Sequence, residues 1–362
     1  MNPLRLILDH LRSHLASAFS QSLSNIKETG LGAMNTTQKY AWKKRQYKPK
    51  RTMKRMNCSP AVKQSSVNNS CYTPKILSMI RDAYNKDHPT TRIDETEPTK
   101  LWQILNDRFV QCNKEDCWLN ELKDANLKKK IDRYIFAPDK PYEWKKEPNA
   151  WLSNYDIMNV LEQYEETYRH FEFIGPTPID FDKVVGKTCV QNELCKFRLS
   201  EHINRGKTHI GIIFNLSPST SDGSHWVSLF IDVKERVIFF FDSAGANAPA
   251  QIKAFIKRVQ NQAVEKYGRR FTYFKNFPKE HQMGNTECGV YSLFFIITML
   301  TSTIPSIKVE REMTSSSVLK KNGGLKLKTE TPMNMRQKKQ LFLKEKISDE
   351  YIEQYRNVYF NE

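Results

Sequence analysis

Two apolar, β-prone runs, residues 226–233 and 237–241, are separated by only Lys234-Glu235-Arg236. No crossover fits in so short an interval, so a tight turn joins them and the two runs pair as an antiparallel hairpin. A hairpin sets the start of its first strand beside the end of its second. It therefore makes neighbours of His225, in Gly223-Ser224-His225-Trp226, and Asp242, in Phe239-Phe240-Phe241-Asp242-Ser243-Ala244-Gly245. Along the first strand Val227, Leu229, Ile231 and Val233 share the face of His225, a rigid mount for an imidazole at the strand mouth.

Other elements fall around this hairpin. Residues 210–214 and 271–274 read as further strands, and residues 252–264 as a helix. Residues 289–300 are almost wholly apolar and predict a buried helix. Ser153 to Asp156 offers a helix start, followed by Ile157, Val160, Leu161 and Tyr164 at helical spacing. Helical patterning also runs through residues 76–130, with Ile76, Ile80 and Ala83 on one face and Leu101, Ile104, Leu105 and Phe109 on another. Pro138, Pro141 and Pro148 punctuate a loop, residues 303–346 read as a basic loop or insertion, and residues 348–360 as a terminal helix capped by Ser348. Strands and helices mix without βαβ alternation, which predicts an α+β domain with a central mixed sheet flanked by helices. Three parts are expected: residues 1–75, an amphipathic helix and basic flexible arm; 76–150, a helical subdomain; and 151–362, the core domain.

Composition narrows the setting. No apolar run approaches the roughly 18–20 residues of a membrane span. Leu4, Leu8, Leu11, Leu15 and Phe19 recur at helical spacing, in place of the basic start, apolar block and cleavage site of a secretory signal. Residues 3–22 therefore fit a packing or oligomerisation helix better than a membrane-surface helix, which would carry more basic residues on its polar face. The formal charge is +17, and residues 1–75 alone hold 14 Lys/Arg against Asp9 and Glu28. The densest stretch, with Lys43, Lys44, Arg45, Lys50 and Arg51 among interleaved aromatics, suits DNA or another polyanion through residues 39–55. A solvated tail is the plainer reading, because no nucleic-acid fold signature accompanies the charge. Seven cysteines at irregular spacing, without CxxC pairs or clustered histidines, predict buried thiols in a reducing compartment, with no zinc and no cofactor.

The chemistry centres on Cys288, in Gln282-Met283-Gly284-Asn285-Thr286-Glu287-Cys288-Gly289. A thiol at a helix N-terminus meets free N–H groups and the positive end of the helix dipole, both of which favour the thiolate. Gly289 would let a substrate backbone approach closely. Gln282, six positions before the cysteine, supplies a neutral amide donor that, with the Cys288 N–H, can form an oxyanion hole. Each residue alone has a bland reading: an inert buried thiol, a strand-edge histidine, a turn aspartate. Together His225, Asp242, Gln282 and Cys288 supply base, orienting carboxylate, oxyanion donor and nucleophile.

These motifs, the His225-Trp226 strand start, the Phe-Phe-Phe-Asp-Ser-Ala-Gly strand end and 282–295 before the buried helix, resemble the SUMO-type ubiquitin-like-protein proteases and the adenovirus-type proteinases. Residues 151–164 resemble that superfamily's early helix, which lines the substrate cleft. The pattern is most similar to the polyprotein-processing proteases of large cytoplasmic DNA viruses, of asfarvirus and iridovirus type. The resemblance implies a papain-like-superfamily cysteine peptidase with Cys288 as nucleophile, His225 as base, Asp242 as third member and Gln282 as oxyanion donor. It implies that Trp226, with Trp151, shapes a narrow channel favouring glycine before the scissile bond. It further implies a viral structural polyprotein or core precursor as substrate, and a place in the host cytoplasm (the viral factory) and the virion. Two other readings stand beside it: a protease that removes ubiquitin-like modifiers, and a non-catalytic module binding nucleic acid or the virion core.

Overall fold

The hairpin expected from residues 226–241 is the centre of a mixed five-stranded sheet in the computed structural model, which describes residues 53–62, 67, 69–304 and 332–362. In chain order the strands are β1 (Phe171–Pro178), the short β2 (Val184–Val185) and β3 (Thr188–Cys189), β4 (His209–Asn215), β5 (Trp226–Asp232), β6 (Val237–Phe241) and β7 (Thr272–Lys275). The large sheet runs β1-β4-β5-β6-β7. Its inner pairs, β4–β5 and β5–β6, are antiparallel, and its outer pairs, β1–β4 and β6–β7, are parallel. The turn between β5 and β6 spans residues 233–236, with the Glu235 N–H donating to Asp232 Oδ1 at 2.9 Å and Arg236 left-handed at φ 57°.

Every residue of β5 and β6 is buried, because helices cover both faces. Val227, Leu229, Ile231, Ile238 and Phe240 point to a cluster built with α5 (Asn192–Cys195), α6 (Leu199–Asn204) and the long α7 (Ala250–Tyr267). Trp226, Phe230, Phe239 and Phe241 point to the opposite cluster, centred on α8 (Cys288–Thr301). Residues 288 to 300 of α8 are all buried, as a helix apolar on every side requires. Around it pack α4 (Asn154–Thr167), α9 (Met335–Leu343), α10 (Asp349–Glu353) and α11 (Arg356–Tyr359). The start of α4 is a capping box: Ser153 Oγ accepts the Asp156 N–H, and the Asp156 carboxylate accepts the Ser153 N–H. A third cluster joins α1 (Pro74–Asp87), α2 (Pro98–Arg108) and α3 (Ala125–Ile135) around Leu77, Ile80, Leu101, Leu105 and Trp118. No helix among the described residues is long and apolar enough to cross a membrane.

Several expectations need correction. The flexible arm was expected to reach residue 75, yet Met56, Cys71 and Tyr72 are buried in the third cluster. The Tyr72 hydroxyl donates to the Glu115 carbonyl at 2.6 Å, and Asn57 N–H donates to Asn361 Oδ1 at 2.7 Å. This stretch has no helical or alternating period to read, because long-range contacts, not local structure, hold it. Residues 3–22 and the basic residues Lys43, Lys44, Arg45, Lys50 and Arg51 lie outside the described residues.

The segment taken for a loop at 303–346 contains α9, whose Leu341 and Phe342 enter the core. Its basic residues hid it, and Lys338 is itself buried, its ammonium donating to the Met299 carbonyl at the end of α8. The terminal helix is two short helices, α10 and α11, with the Ser348 cap in place. Strand β1 was not anticipated; Gly175-Pro176 interrupts it, and its register with β4 shifts between Ile174 and Thr177. The cysteines pair where free thiols were expected: Cys58–Cys71, Cys112–Cys117 and Cys189–Cys195 are disulfides, and Cys288 alone is free. Each of the three pairs is close in sequence, but irregular spacing does not reveal partners before the fold is known.

Candidate active site

The site forms where β5 begins, β6 ends and α8 begins. His225 precedes β5 and Asp242 follows β6, and the hairpin register sets them together, His225 Nε2 lying 2.7 Å from Asp242 Oδ1. A carboxylate only accepts, so Nε2 carries the proton and Nδ1 is the ring nitrogen left for Cys288. Burial disfavours the imidazolium of His225. Hydrogen bonds to Asp242 and Cys288, and their charges, outweigh that and raise its pKa to about 10. The ring is thus poised as a cation between a carboxylate and a sulfur, while its side chain keeps 22% of its surface open to solvent.

Asp242 is fixed from three sides. Its backbone N–H donates to Asn276 Oδ1 at 2.9 Å, its carbonyl accepts from Asn276 Nδ2 at 2.6 Å, and its carboxylate accepts the Ala244 N–H at 2.9 Å. Preceding it, Phe241 stacks on Phe295 of α8 with ring centroids 4.9 Å apart. The hydrophobic packing that joins sheet to helix thereby sets the spacing between Asp242 and Cys288. Gly245 permits the tight return: a Cβ there would lie 2.7 Å from the Glu280 nitrogen, and its φ is +70°.

Cys288 is the first residue of α8, whose unsatisfied N–H groups point toward it. The preceding Glu287 would place an uncompensated negative charge beside a thiolate. Arg356 of α11 neutralises it, with Nη2 to Glu287 Oε1 at 2.8 Å and Nε to Oε2 at 2.9 Å. The same guanidinium donates to the carbonyls of Ala150 at 2.9 Å and Thr286 at 3.2 Å, and lies over the Trp144 ring. One buried arginine therefore ties the nucleophile loop to the segment leading into α4.

The loop between Gln282 and Cys288 is held by the C-terminal segment as well. Asp349 Oδ2 accepts the N–H groups of Met283 and Gly284 at 2.9 and 2.8 Å, and the Tyr291 hydroxyl donates to Asp349 Oδ1. Buried His281 accepts the Ile347 N–H at Nδ1, so its Nε2 donates to the Phe342 carbonyl at 3.0 Å. Burial above all pushes its pKa down to about 4, against the hydrogen bond to Phe342. Gln282 is buried beside this loop, its amide directed by Ser243 and Gly284.

The structure thus brings His225, Asp242, Gln282 and Cys288 into one site. The sequence reading missed Ser243, Asn276, Glu287, Asp349 and Arg356, which touch these four or their loops. Each is a common polar residue whose partner lies far along the chain, so no local spacing marks it. Among the three substrate-facing candidates, Trp151 is 43% exposed, whereas Trp226 is buried and donates its indole N–H to the Leu152 carbonyl at 3.1 Å. Gly289 serves packing: a Cβ there would press on Leu152 at 3.1 Å and on Trp226 at 3.3 Å. Its missing side chain admits the protein's own Leu152 and Trp226. No group of three or more His, Cys, Asp or Glu among the described residues is arranged to hold a metal.

Residues 193–338 match the family model described as the Ulp1 protease family, C-terminal catalytic domain. A mimivirus protein provisionally named a thiol protease, from Acanthamoeba polyphaga mimivirus, is 27% identical over 68% of this chain and 85% of its own length. A protein of African swine fever virus, named SUMO-1 cysteine protease, is 24% identical over 65% of this chain and 90% of its own. The crystal structure of the African swine fever virus protease superposes with a TM-score of 0.50 at 19% identity, covering 86% of this chain and 98% of that one. That likeness shows a shared fold, an α+β core with a mixed sheet flanked by helices.

Proposed function

We infer that this chain, residues 193–338 of which match the Ulp1 protease family model, is a cysteine endopeptidase that cleaves viral structural polyprotein or core precursors. The observation that carries the reading is the His225–Asp242 pair, Nε2 to Oδ1 at 2.7 Å, in one site with the free cysteine that begins α8. In the proposed sequence the Cys288 thiolate attacks the scissile carbonyl carbon. The S–C bond forms as the C=O π pair moves to oxygen, and the resulting oxyanion is held by the Gln282 amide and the Cys288 N–H. His225 gives its proton to the leaving amine. It then takes one from the water that hydrolyses the thioester, and the cycle returns to the ion pair.

Support for a viral precursor as substrate comes from the relatives, which are proteases of large DNA viruses. A substrate channel narrowed by the exposed Trp151, with the buried Trp226 behind it, would favour glycine before the scissile bond. The disulfides persist best in an oxidising setting, which of the two expected places, host cytoplasm and virion, favours the virion. A polyanion-binding role for residues 39–55 would add localisation to this activity.

The name of the African swine fever virus relative favours a second reading on the same chemistry, removal of a ubiquitin-like modifier. Purified protein offered both modifier-linked probes and candidate precursors distinguishes the two. Precursor fragments that appear with wild type and vanish with Cys288→Ala, together with unlabelled modifier probes, support polyprotein processing. Modifier cleavage with intact precursors overturns it. A chain that cleaves neither and leaves thiol-reactive peptide probes unbound would instead be a binding module.

A further inference from the structure

We propose that Ser243 is a positioning residue for the oxyanion hole, fixing which end of the Gln282 amide faces the reacting carbonyl. The proposal rests on the peptidase reading of the site and adds to it a residue with no part in proton transfer or nucleophilic attack.

Two hydrogen bonds determine the amide. Gln282 Nε2 donates to the Gly284 carbonyl at 2.9 Å, and the Ser243 hydroxyl donates to Gln282 Oε1 at 2.7 Å. The Gly284 carbonyl can only accept, so the nitrogen end must face it and the oxygen end must face Ser243. A hydroxyl can donate or accept, but beside an amide oxygen it has only the donor role. The amide is therefore locked in one of its two flips. One N–H of Nε2 is occupied by Gly284, and the second is the hydrogen available to an oxyanion.

The lock is built firmly. Ser243 and Gln282 are 1% and 5% exposed. The Ser243 carbonyl accepts the backbone N–H groups of both His281 and Gln282 at 2.8 Å, so strand end and loop move together. Gly284 is itself held by Asp349 through its own N–H at 2.8 Å. In the reverse flip Gln282 would present an oxygen to the developing negative charge, and a hole with a repulsive member is worse than one with a member missing. Ser243 directly follows Asp242. One dipeptide at the end of β6 thus directs both halves of the machinery: Asp242 the base, Ser243 the oxyanion donor.

The test compares wild type, Ser243→Ala, Gln282→Ala and the double variant in two assays. Peptide hydrolysis needs the nucleophile and the oxyanion hole. Alkylation of Cys288 by iodoacetamide forms no tetrahedral oxyanion and reads the thiolate–imidazolium pair alone. Removing an oxyanion donor costs roughly 10²–10³-fold in kcat, and the account expects Ser243→Ala to lose about 10-fold or more, with KM little changed. Alkylation of Ser243→Ala should proceed at the wild-type rate. The double variant should hydrolyse no more slowly than Gln282→Ala, because the hydroxyl acts only through that amide. The proposal is overturned if Ser243→Ala hydrolyses within twofold of wild type, if the two losses multiply, or if hydrolysis and alkylation fall together, as a general structural role would give. Failure of the peptidase reading looks different: Cys288 would then be unreactive in the wild-type protein itself.

Discussion

Arg356 Nη2 lies 2.8 Å from Glu287 Oε1, and both side chains are buried. The pair joins α11, at the far end of the chain, to the residue before the free cysteine. Truncating one member of a buried pair leaves the other charge unpaired and costs about 3–5 kcal/mol, whereas replacing both by apolar groups is often near neutral. Arg356→Met is accordingly expected to lower unfolding free energy by about that amount, measured by urea denaturation. Adding Glu287→Leu should recover a substantial part, though not the carbonyl contacts of the guanidinium. A double variant no more stable than the single would contradict the view that the unpaired charge is what costs.

The protonation of His225 yields a pH dependence. Its folded pKa is raised to about 10, so the imidazolium and its interactions with Asp242 and Cys288 are fully present below the unfolded value near 6.5 and are lost as pH rises through about 10. Asp242→Ala removes the carboxylate that supports the cation while the burial that opposes it remains. The alkaline limb of kcat/KM should therefore move toward neutral pH in that variant. An unchanged limb would show that the carboxylate does not set the base.

His281 behaves in the opposite sense. Its pKa is pushed down to about 4, mainly by burial. A depressed pKa contributes stability above the unfolded value near 6.5 that is lost as pH falls toward about 4. The protein is expected to lose stability across that window, and His281→Gln, which keeps one donor and one acceptor, should flatten the loss. Thermal unfolding from pH 7 to pH 4 measures both.

Cysteine pairing makes a prediction by count. With three disulfides and only Cys288 free, protein denatured without reductant should show one titratable thiol of seven, and Cys288→Ala none. Seven thiols in unreduced protein from an oxidising preparation would refute the pairing.

Much of the site was legible before the fold because its determinants are local. Three turn residues between two apolar runs suffice to pair His225 with Asp242, and that pair, together with Gln282, raises Cys288 at the start of an apolar helix above an inert buried thiol. The β5–β6 hairpin, α7 and α8 follow from the same strong patterns, and Ser153 with Asp156 announces the start of α4. What escaped reading is held by distant partners. Tyr72 and Cys71 are buried without any periodic neighbours, and α9 carries lysines that suggest a surface while Phe342 enters the core. Arg356 and Asp349 act on residues some seventy positions away, and no spacing rule connects them. Gly289 shows a related limit: glycine marks a close approach, here of Leu152 and Trp226, but the sequence does not say what approaches.

The central claim is that Cys288, activated by His225, is the nucleophile of a peptidase. The most direct measurement is the acyl-enzyme. Wild type and Cys288→Ala are mixed with a cleavable peptide ester, quenched in acid within the first turnover and examined by intact-protein mass spectrometry. The account predicts an adduct of the acyl mass on wild type, mapped to Cys288 by peptide analysis, and none on the folded alanine variant. Peptide cleavage that persists in Cys288→Ala, or an adduct mapping to another residue, would contradict it.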